Sequence, residues 1–228
     1  HKSLSKEGVN ISIENKIKNI LNEIPKDVTL IAVSKTKPVE LIMEAYNASQ
    51  RDFGENKVQD LISKKEVLPK DIRWHFIGKL QTNKVKYLVN NVYLIHSLSS
   101  IKLAEKIENE FGKSNSIANV LIQFNIGREE SKSGILEEDI EDLISFVEEC
   151  NFIKVNGIMV IIPKGSEEEN RYYFRKTKSI YEELKKRTFK NIKMEVLSMG
   201  MTNDYKIAIE EGATTIRVGS GIFGARDN

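Results

Sequence analysis

The sequence has few of the residues that build disulfide frameworks or metal centres. It contains one cysteine and three histidines in 228 residues. Cys150 cannot form an internal disulfide, which is typical of proteins from a reducing cytoplasm. We interpret it as a small apolar residue near a helix end rather than a reactive thiol. Because the histidines are widely spaced and there is no cysteine cluster, we predict no metal site.

Strong charge and long apolar runs are also missing. A net charge of +2 gives no sign of the dense basic face that nucleic-acid binders carry. No apolar run approaches the length of a membrane span, and the first residues lack the apolar core of a signal peptide. His1 stands in place of a methionine, and we interpret it as a truncated start or a tag remnant. We therefore expect a cytoplasmic globular protein that binds neither nucleic acid nor membranes.

The sequence does contain eight short segments of strand character that alternate with helical patterns. After one helix marked by isoleucines at helical spacing, the predicted strands are 29–34, 52–54, 74–78, 92–95, 118–126, 153–162, 193–197 and 214–218. The helices include 99–111, with Gly112 as its stop, and one opened by a capping box of Ser166 and Glu169.

This alternation indicates either a closed (β/α)8 barrel or a doubly wound sheet, and the count of eight favours the barrel. There is no linker, repeat or low-complexity tract. We predict a single α/β domain over residues 1–228, a (β/α)8 TIM barrel with an extra N-terminal helix.

The first predicted strand ends in a lysine. The apolar run 29–34 leads into Lys35, and Pro38 then opens a helix. If the run is a buried parallel strand, Lys35 lies at its carboxyl edge, where α/β proteins place their chemistry. A partly desolvated lysine can attack an aldehyde and form a Schiff base. The pattern alone leaves open the alternative that Lys35 simply leads into solvent, where we expect Lys37 to lie.

Two glycine-containing segments follow the last two strands. Ser198 and Gly200 come after the seventh strand, and Gly219, Ser220 and Gly224 come after the eighth. Barrels often bind phosphate with these two loops, because glycines let the backbone approach the anion and serines add hydroxyl donors. The alternative is that the glycines only relieve tight turns. The second segment also matches G-x-G-x-x-G, but the four residues after it leave no room for a dinucleotide-binding unit.

Other polar residues near strand ends have two interpretations each. Arg217, within the last strand, either faces a ligand inside the barrel or makes an outer salt bridge. Asn56 either donates to a ligand or caps the next helix, and the pattern favours the cap. His75 is interpreted as a satisfied core histidine, and Ser34 as a serine without a base partner. Lys132 is interpreted as a solvated loop lysine, with the steering of an anion as its alternative.

Seven motifs, in order and nearly end to end, carry a resemblance to a known family. They are AVSKTKP (32–38), FGEN (53–56), WHFIG (74–78), LQTNK (80–84), SKSG (131–134), LSMGM (197–201) and RVGSGIFGAR (217–226). On these motifs the chain resembles the pyridoxal phosphate homeostasis proteins of the YggS/PROSC family.

The resemblance implies a barrel like the N-terminal domain of alanine racemase that holds pyridoxal 5′-phosphate covalently. Lys35 matches the family's Schiff-base lysine, and Asn56 falls near the ring. The segments that hold the phosphate and the ring would contribute Ser198, Met199, Gly200, Arg217, Gly219 and Ser220. Whether Arg217 meets the phosphate or the pyridine nitrogen is left open. Family members often continue with a tyrosine and a short basic tail, whereas this sequence stops at Asn228.

The resemblance implies a non-catalytic protein that buffers pyridoxal phosphate or delivers it to apo-enzymes. We expect it to be a monomer. One alternative is a pyridoxal phosphate-dependent amino-acid racemase or decarboxylase, the racemase being of low activity. A racemase of this barrel type takes a second acid/base from an additional β-domain, and only four residues follow Gly224 here. The carrier is therefore the favoured interpretation. A weaker alternative is a barrel enzyme that acts on a phosphorylated sugar, with Lys35 as an aldolase-like base.

Overall fold

The computed structural model describes residues 3–4 and 10–225, and its main feature is a closed barrel of eight parallel strands. The strands are β1 (Thr29–Val33), β2 (Asp52–Glu55), β3 (Arg73–Phe76), β4 (Leu94–Leu98), β5 (Ala118–Phe124), β6 (Ile153–Val160), β7 (Ile192–Ser198) and β8 (Thr215–Val218). β8 pairs with β1 and closes the sheet. The interpretation of His1 and the comparison of the chain's last three residues with the family lie outside the described residues.

Helices surround the barrel and follow the strands. They are α1 (Ile13–Glu23), α2 (Val39–Asn47), α3 (Val58–Val67), α4 (Val85–Leu88), α5 (Ile101–Lys113), α6 (Ile140–Glu148), α7 (Glu167–Lys185), α8 (Tyr205–Glu210) and α9 (Ser220–Phe223). Two single 3₁₀ turns, Thr82–Lys84 and Glu137–Asp139, and a short antiparallel pairing of Ser3–Leu4 with Asn10–Ile11 complete the described elements. The predicted α/β barrel with an N-terminal helix is confirmed.

The helix ends test two local predictions. The capping box of Ser166 and Glu169 is present at the start of α7, so that prediction is confirmed. The predicted stop at Gly112 is wrong, because α5 continues to Lys113. A Cβ on Gly112 would lie 3.0 Å from the ring of Phe152, so this glycine makes room for a packed aromatic ring within the helix.

Side chains alternate along each strand between the helices and the barrel interior. The outward set, which includes Ala32, Phe53 and Val218, joins the large apolar core under the helices. Inside the barrel a second, smaller apolar cluster consists of Leu94, Leu121 and Met159, with Val196 packed against it. One step further along β4, β5 and β7, toward their carboxyl ends, the interior positions are polar and are occupied by His96, Gln123 and Ser198.

No helix in the described part of the chain is long and apolar enough to cross a bilayer.

Candidate ligand-binding site at the carboxyl ends of the strands

Lys35 stands at the carboxyl end of β1, two positions past the last strand residue. Its backbone lies in a tight turn in which the Lys37 N–H donates to the Ser34 carbonyl at 3.1 Å. Alternation along the strand places Lys35 on the inner face with Ile31 and Val33. Lys35 is half-buried, as the sequence interpretation of a partly desolvated amine requires. Lys37, which we expected to face solvent, is half-buried too.

The turn that carries Lys35 is strained. Thr36 has a φ of 63°, in the left-handed region. A β-branched residue is rare there, and the conformation costs about 1–2 kcal/mol. Such strain persists only where surrounding contacts hold the backbone in place. The structure must therefore contain a brace for this turn.

A buried ion pair provides that brace. The Lys64 Nζ on α3 donates to the Ser34 carbonyl at 2.8 Å and contacts the Glu55 carboxylate at 2.9 and 3.0 Å. The Ser34 hydroxyl also donates to Glu55. Ser34 thus has a carboxylate partner, contrary to the sequence prediction. Since Glu55 is on the outward face of β2, the cluster lies between the barrel and α3, behind the turn rather than inside the site.

Burial of this ion pair affects the ionisation of its carboxylate. Glu55 is fully buried, and burial raises the pKa of its carboxyl although the Lys64 ammonium and the Ser34 hydroxyl act in the opposite direction. A carboxylate in such a place is stable only with its cation beside it. The brace therefore depends on Lys64.

Arg217 lies at the floor of the site. It is 2% exposed and points into the barrel interior, where it donates to the Ser198 hydroxyl oxygen and, at 2.9 Å, to the Val160 carbonyl. The interior orientation is confirmed and the outer salt bridge is wrong. Burial lowers the pKa of Arg217 to about 10, so the side chain stays cationic at neutral pH. Within residues 10–225 no carboxylate forms an ion pair with it.

Two histidines lie behind Arg217 in the interior. His75 contacts Asp52 through Nε2 and His96 through Nδ1, each at 2.9 Å, which confirms that it is a satisfied core histidine. Burial lowers the pKa of His75, and it lowers that of His96 well below the usual range. Sequence reasoning missed His96. Its place two residues after Leu94 on a strand was the available signal, since that spacing puts it on the inner face.

The loops after β7 and β8 form one wall of the site. Gly200 has a φ of 104°, and a Cβ there would lie 2.7 Å from the Ala208 Cβ, so only glycine fits. Its carbonyl accepts from the Arg217 N–H at 2.9 Å. Gly219 precedes α9, and Ser220 is the first residue of that helix. The two loops are therefore held against each other at the end of the barrel.

Thr202 joins these loops and was missed by sequence reasoning. Its Oγ1 accepts from the Gly221 N–H at 3.2 Å, and the hydroxyl proton is left for another acceptor. Its position two residues after Gly200 was the available signal. Met199, in contrast, has its side chain in the outer core and its N–H on the Thr215 carbonyl at 3.1 Å. Met199 thus offers neither its side chain nor its amide hydrogen to a ligand.

Asn56 faces the site from β2. The predicted helix cap is wrong, because α3 begins at Val58 with Lys57 as its N-cap and no side-chain cap. Asn56 directly follows β2, on the side that continues the inner face of Gly54, and is half-buried. A Cβ on Gly78 would lie 2.3 Å from the Asn56 carbonyl oxygen, so the neighbouring chain packs directly against this residue. Alternation thus places Asn56 at the mouth of the barrel.

Two other predicted residues lie outside this cluster. Lys132 is exposed in the loop after β5, as a solvated loop lysine would be. Cys150 is buried at the end of α6, and burial raises the pKa of its thiol to about 12, which fits an inert apolar role.

Comparison with known proteins places this geometry in a family. The family model of the alanine racemase N-terminal domain matches residues 11–227. The pyridoxal phosphate homeostasis protein of Aquifex aeolicus (strain VF5) is 45% identical over 199 residues, which cover 86% of both chains. That of Escherichia coli (strain K12) is 36% identical over 207 residues, covering 89% of this chain and 88% of the relative. This chain belongs to the pyridoxal phosphate homeostasis protein family.

Solved structures share the fold. PipY of Synechococcus elongatus PCC7942 without PLP (pyridoxal 5′-phosphate) has a TM-score of 0.89 and 35% identity, covering 93% of this chain and 100% of its own. The same protein with PLP bound has a TM-score of 0.85 and 34% identity over the same shares. Alanine racemase from Streptomyces coelicolor A3(2) has a TM-score of 0.77 at 16% identity, and this chain covers 58% of it. That last likeness shows the barrel fold alone.

The brace behind Lys35 generates a stability prediction. Replacing Lys64 with methionine leaves the Glu55 carboxylate buried without its cation. We expect the free energy of unfolding to fall by about 3–5 kcal/mol, measured by urea denaturation near neutral pH. The matched control is Lys65→Met on the same helix, a half-buried lysine without an ion pair to a described residue, which should change stability by less than about 1 kcal/mol. Equal losses in the two variants would show that the ion pair is not a brace.

Proposed function

We propose that this protein binds pyridoxal 5′-phosphate at the carboxyl end of its barrel and serves in the homeostasis of that cofactor. The observation that carries the proposal is the convergence of three features on one face. They are the half-buried amine of Lys35, the buried guanidinium of Arg217, which makes no ion pair with a carboxylate of the described residues, and the glycine loops at Gly200 and Gly219. An aldehyde and a phosphate on one flat ring match this set.

The residues fit the cofactor by their chemistry. The Lys35 amine would hold the aldehyde covalently, and Asn56 would donate to the ring substituents beside it. The loops at Gly200 and Gly219, with the hydroxyls of Thr202 and Ser220, would surround the phosphate. Charge-assisted hydrogen bonds of this kind contribute about 1.5–3 kcal/mol each, so a few of them suffice to retain a dianion. When bound, the cofactor supplies an electrophilic carbonyl and an electron-withdrawing ring.

Ser198 has a different role in this proposal from the one its sequence suggested. Its hydroxyl oxygen accepts from Arg217, and its Oγ lies 3.0 Å from the His96 Nδ1. With both contacts made inside the barrel, the side chain is not free to donate to the phosphate. We propose that Ser198 affects the ligand only indirectly, by holding the Arg217 guanidinium in position through their hydrogen bond.

The comparisons support this proposal through relatives that cover nearly the whole chain. PipY, 34% identical, has been solved with PLP bound. Relatives at 36–45% identity are named pyridoxal phosphate homeostasis proteins. These names also favour a carrier over an enzyme.

We propose that the bound cofactor is buffered and delivered to pyridoxal phosphate-dependent apo-enzymes without catalysis. Racemization needs an acid/base that faces the lysine across the ring. Across the barrel mouth, alternation places Ile161, which is 48% exposed, at the end of β6. Met201, 39% exposed, follows β7. Neither side chain transfers protons. Because Lys35 is only half-buried, a cofactor bound to it stays accessible, which favours its exchange. A buried single cysteine suits a cytoplasmic location, and the monomeric state stays a prediction.

The covalent role of Lys35 is tested by exchanging its amine for a guanidinium. Lys35→Arg keeps the positive charge but removes a nucleophilic amine. Added pyridoxal phosphate should give a visible absorbance band and, after borohydride reduction, a mass adduct on Lys35 in the wild type. Both should be lost in the variant. Lys37→Arg, in the same turn, is the matched control and should retain both. Loss in the control and retention in Lys35→Arg would move the attachment to Lys37.

The absence of catalysis is tested with single enantiomers. The cofactor-loaded protein is incubated with L-alanine, L-serine and L-lysine in turn, and chiral chromatography follows the D-enantiomer and any amine product. We expect no conversion beyond that of the free cofactor at the same concentration, because Ile161 and Met201, which alternation places across the barrel mouth, cannot donate a proton. Conversion that is abolished in Lys35→Arg would contradict the carrier and establish the racemase or decarboxylase alternative.

A further inference from the structure

A continuous chain of side-chain hydrogen bonds crosses the barrel interior beneath the site. It runs from Arg217 to Ser198, from Ser198 to His96 (3.0 Å), from His96 to His75 (2.9 Å) and from His75 to Asp52 (2.9 Å). The five residues come from five different strands, and each is at most 9% exposed. Asp52 lies at the amino end of its strand, so the chain connects the site to the opposite end of the barrel.

The two charged groups at the ends of this series of hydrogen bonds determine the position of every proton in it. A guanidinium can only donate, and an ionised carboxylate can only accept. Burial opposes ionisation of Asp52, but hydrogen bonds from His75 and Arg73 outweigh it and lower the pKa of that carboxyl. His75 must then donate from Nε2 to Asp52. Since burial lowers its pKa, the ring is neutral and Nδ1 is an acceptor.

The donor and acceptor of each remaining hydrogen bond are fixed in the same way. His96 must donate from Nε2 to the His75 Nδ1, and its own Nδ1, 3.0 Å from the Ser198 Oγ, is left as an acceptor. Ser198 must therefore donate its hydroxyl proton to His96 and accept from Arg217. Reversing any one link would oppose two donors or two lone pairs in a buried place, which is costly.

The series of hydrogen bonds also connects two buried charges, the Arg217 guanidinium and the Asp52 carboxylate. In the part of the chain that the structure describes, the Arg217 guanidinium has only Ser198 and the Val160 carbonyl as hydrogen-bond partners. Asp52 stands at the far end, where it also pairs with Arg73 at 2.8 Å. Hydrogen bonds aligned head to tail polarise one another, so the carboxylate increases the negative charge on the Ser198 oxygen. That oxygen becomes a better acceptor for Arg217.

We propose that His96 and His75 are positioning residues: they form a one-way hydrogen-bond relay, anchored at Asp52, that commits Ser198 to accept from Arg217 and so aims the remaining guanidinium N–H groups at the ligand site. The effect on ligand binding rests on the proposed function. The relay itself does not.

The first experiment observes the relay without ligand. Long-range ¹H–¹⁵N NMR of the ¹⁵N-histidine-labelled protein at neutral pH distinguishes the two neutral tautomers and the imidazolium. With three histidines in the sequence, a His1→Ala variant leaves two rings to assign. We expect both to be neutral with the proton on Nε2. An Nδ1–H tautomer or an imidazolium at either ring would overturn the relay.

The second experiment tests whether the relay aims Arg217. His96→Asn retains a carbonyl oxygen near the place of Nδ1 and can accept from Ser198, whereas His96→Leu cannot. We expect the dissociation constant for pyridoxal phosphate, from titration of the visible band, to rise about tenfold in His96→Leu, as for one lost hydrogen bond. His96→Asn should stay within about threefold of the wild type.

The results of these experiments distinguish a failure of the hydrogen-bond relay from a failure of the proposed function. Equal affinities in wild type and His96→Leu, with thermal unfolding confirming that both are folded, would overturn the positioning role. If His96→Leu does not fold, His96→Asn decides: a large loss of affinity in that folded variant contradicts the role of the Ser198 acceptor. If the wild type binds no pyridoxal phosphate, the proposed function fails, and the tautomer measurement still decides the relay.

Discussion

The structure depends on one geometric constraint: side chains alternate along parallel strands, and a closed barrel turns every second one inward at the same end. This constraint brings together residues that are far apart in sequence. Lys35 follows the inner face of β1, and Arg217 lies on the inner face of β8, the strand that pairs with β1. Alternation also sends Glu55 outward while Asn56, its neighbour, faces inward. The site and its support therefore occupy opposite sides of the same sheet.

Two polar networks use these two sides. Outside the sheet, Glu55 and Lys64 hold the backbone turn that presents Lys35 and keep Thr36 in its left-handed conformation. Inside the sheet, His75 and His96 lead from the floor of the site toward the other end of the barrel. Each network is buried and therefore costly to break. A barrel that only needed stability would be served by apolar packing at these positions, so we attribute both networks to the site.

Sequence patterns predicted the barrel, the inward arginine and the strand-end lysine because these depend on local periodicity. The contacts that hold the site were missed because they depend on strand register. His96 and Ser198, in hydrogen-bond contact, are 102 positions apart in sequence. The Asn56 cap was wrong for a local reason, since the N-cap of the helix is Lys57, one residue later than expected. Residue patterns alone indicated only a ligand with an aldehyde and a phosphate. The resemblance to a family identified that ligand as pyridoxal phosphate.

The most direct test of this account is a crystal structure of the protein grown with pyridoxal phosphate. We expect electron density continuous from the Lys35 Nζ to the cofactor, with the phosphate between the loops at Gly200 and Gly219. Arg217 should keep its hydrogen bond to Ser198 beneath the ring. A cofactor attached to another lysine, or a phosphate held away from these two loops, would contradict it.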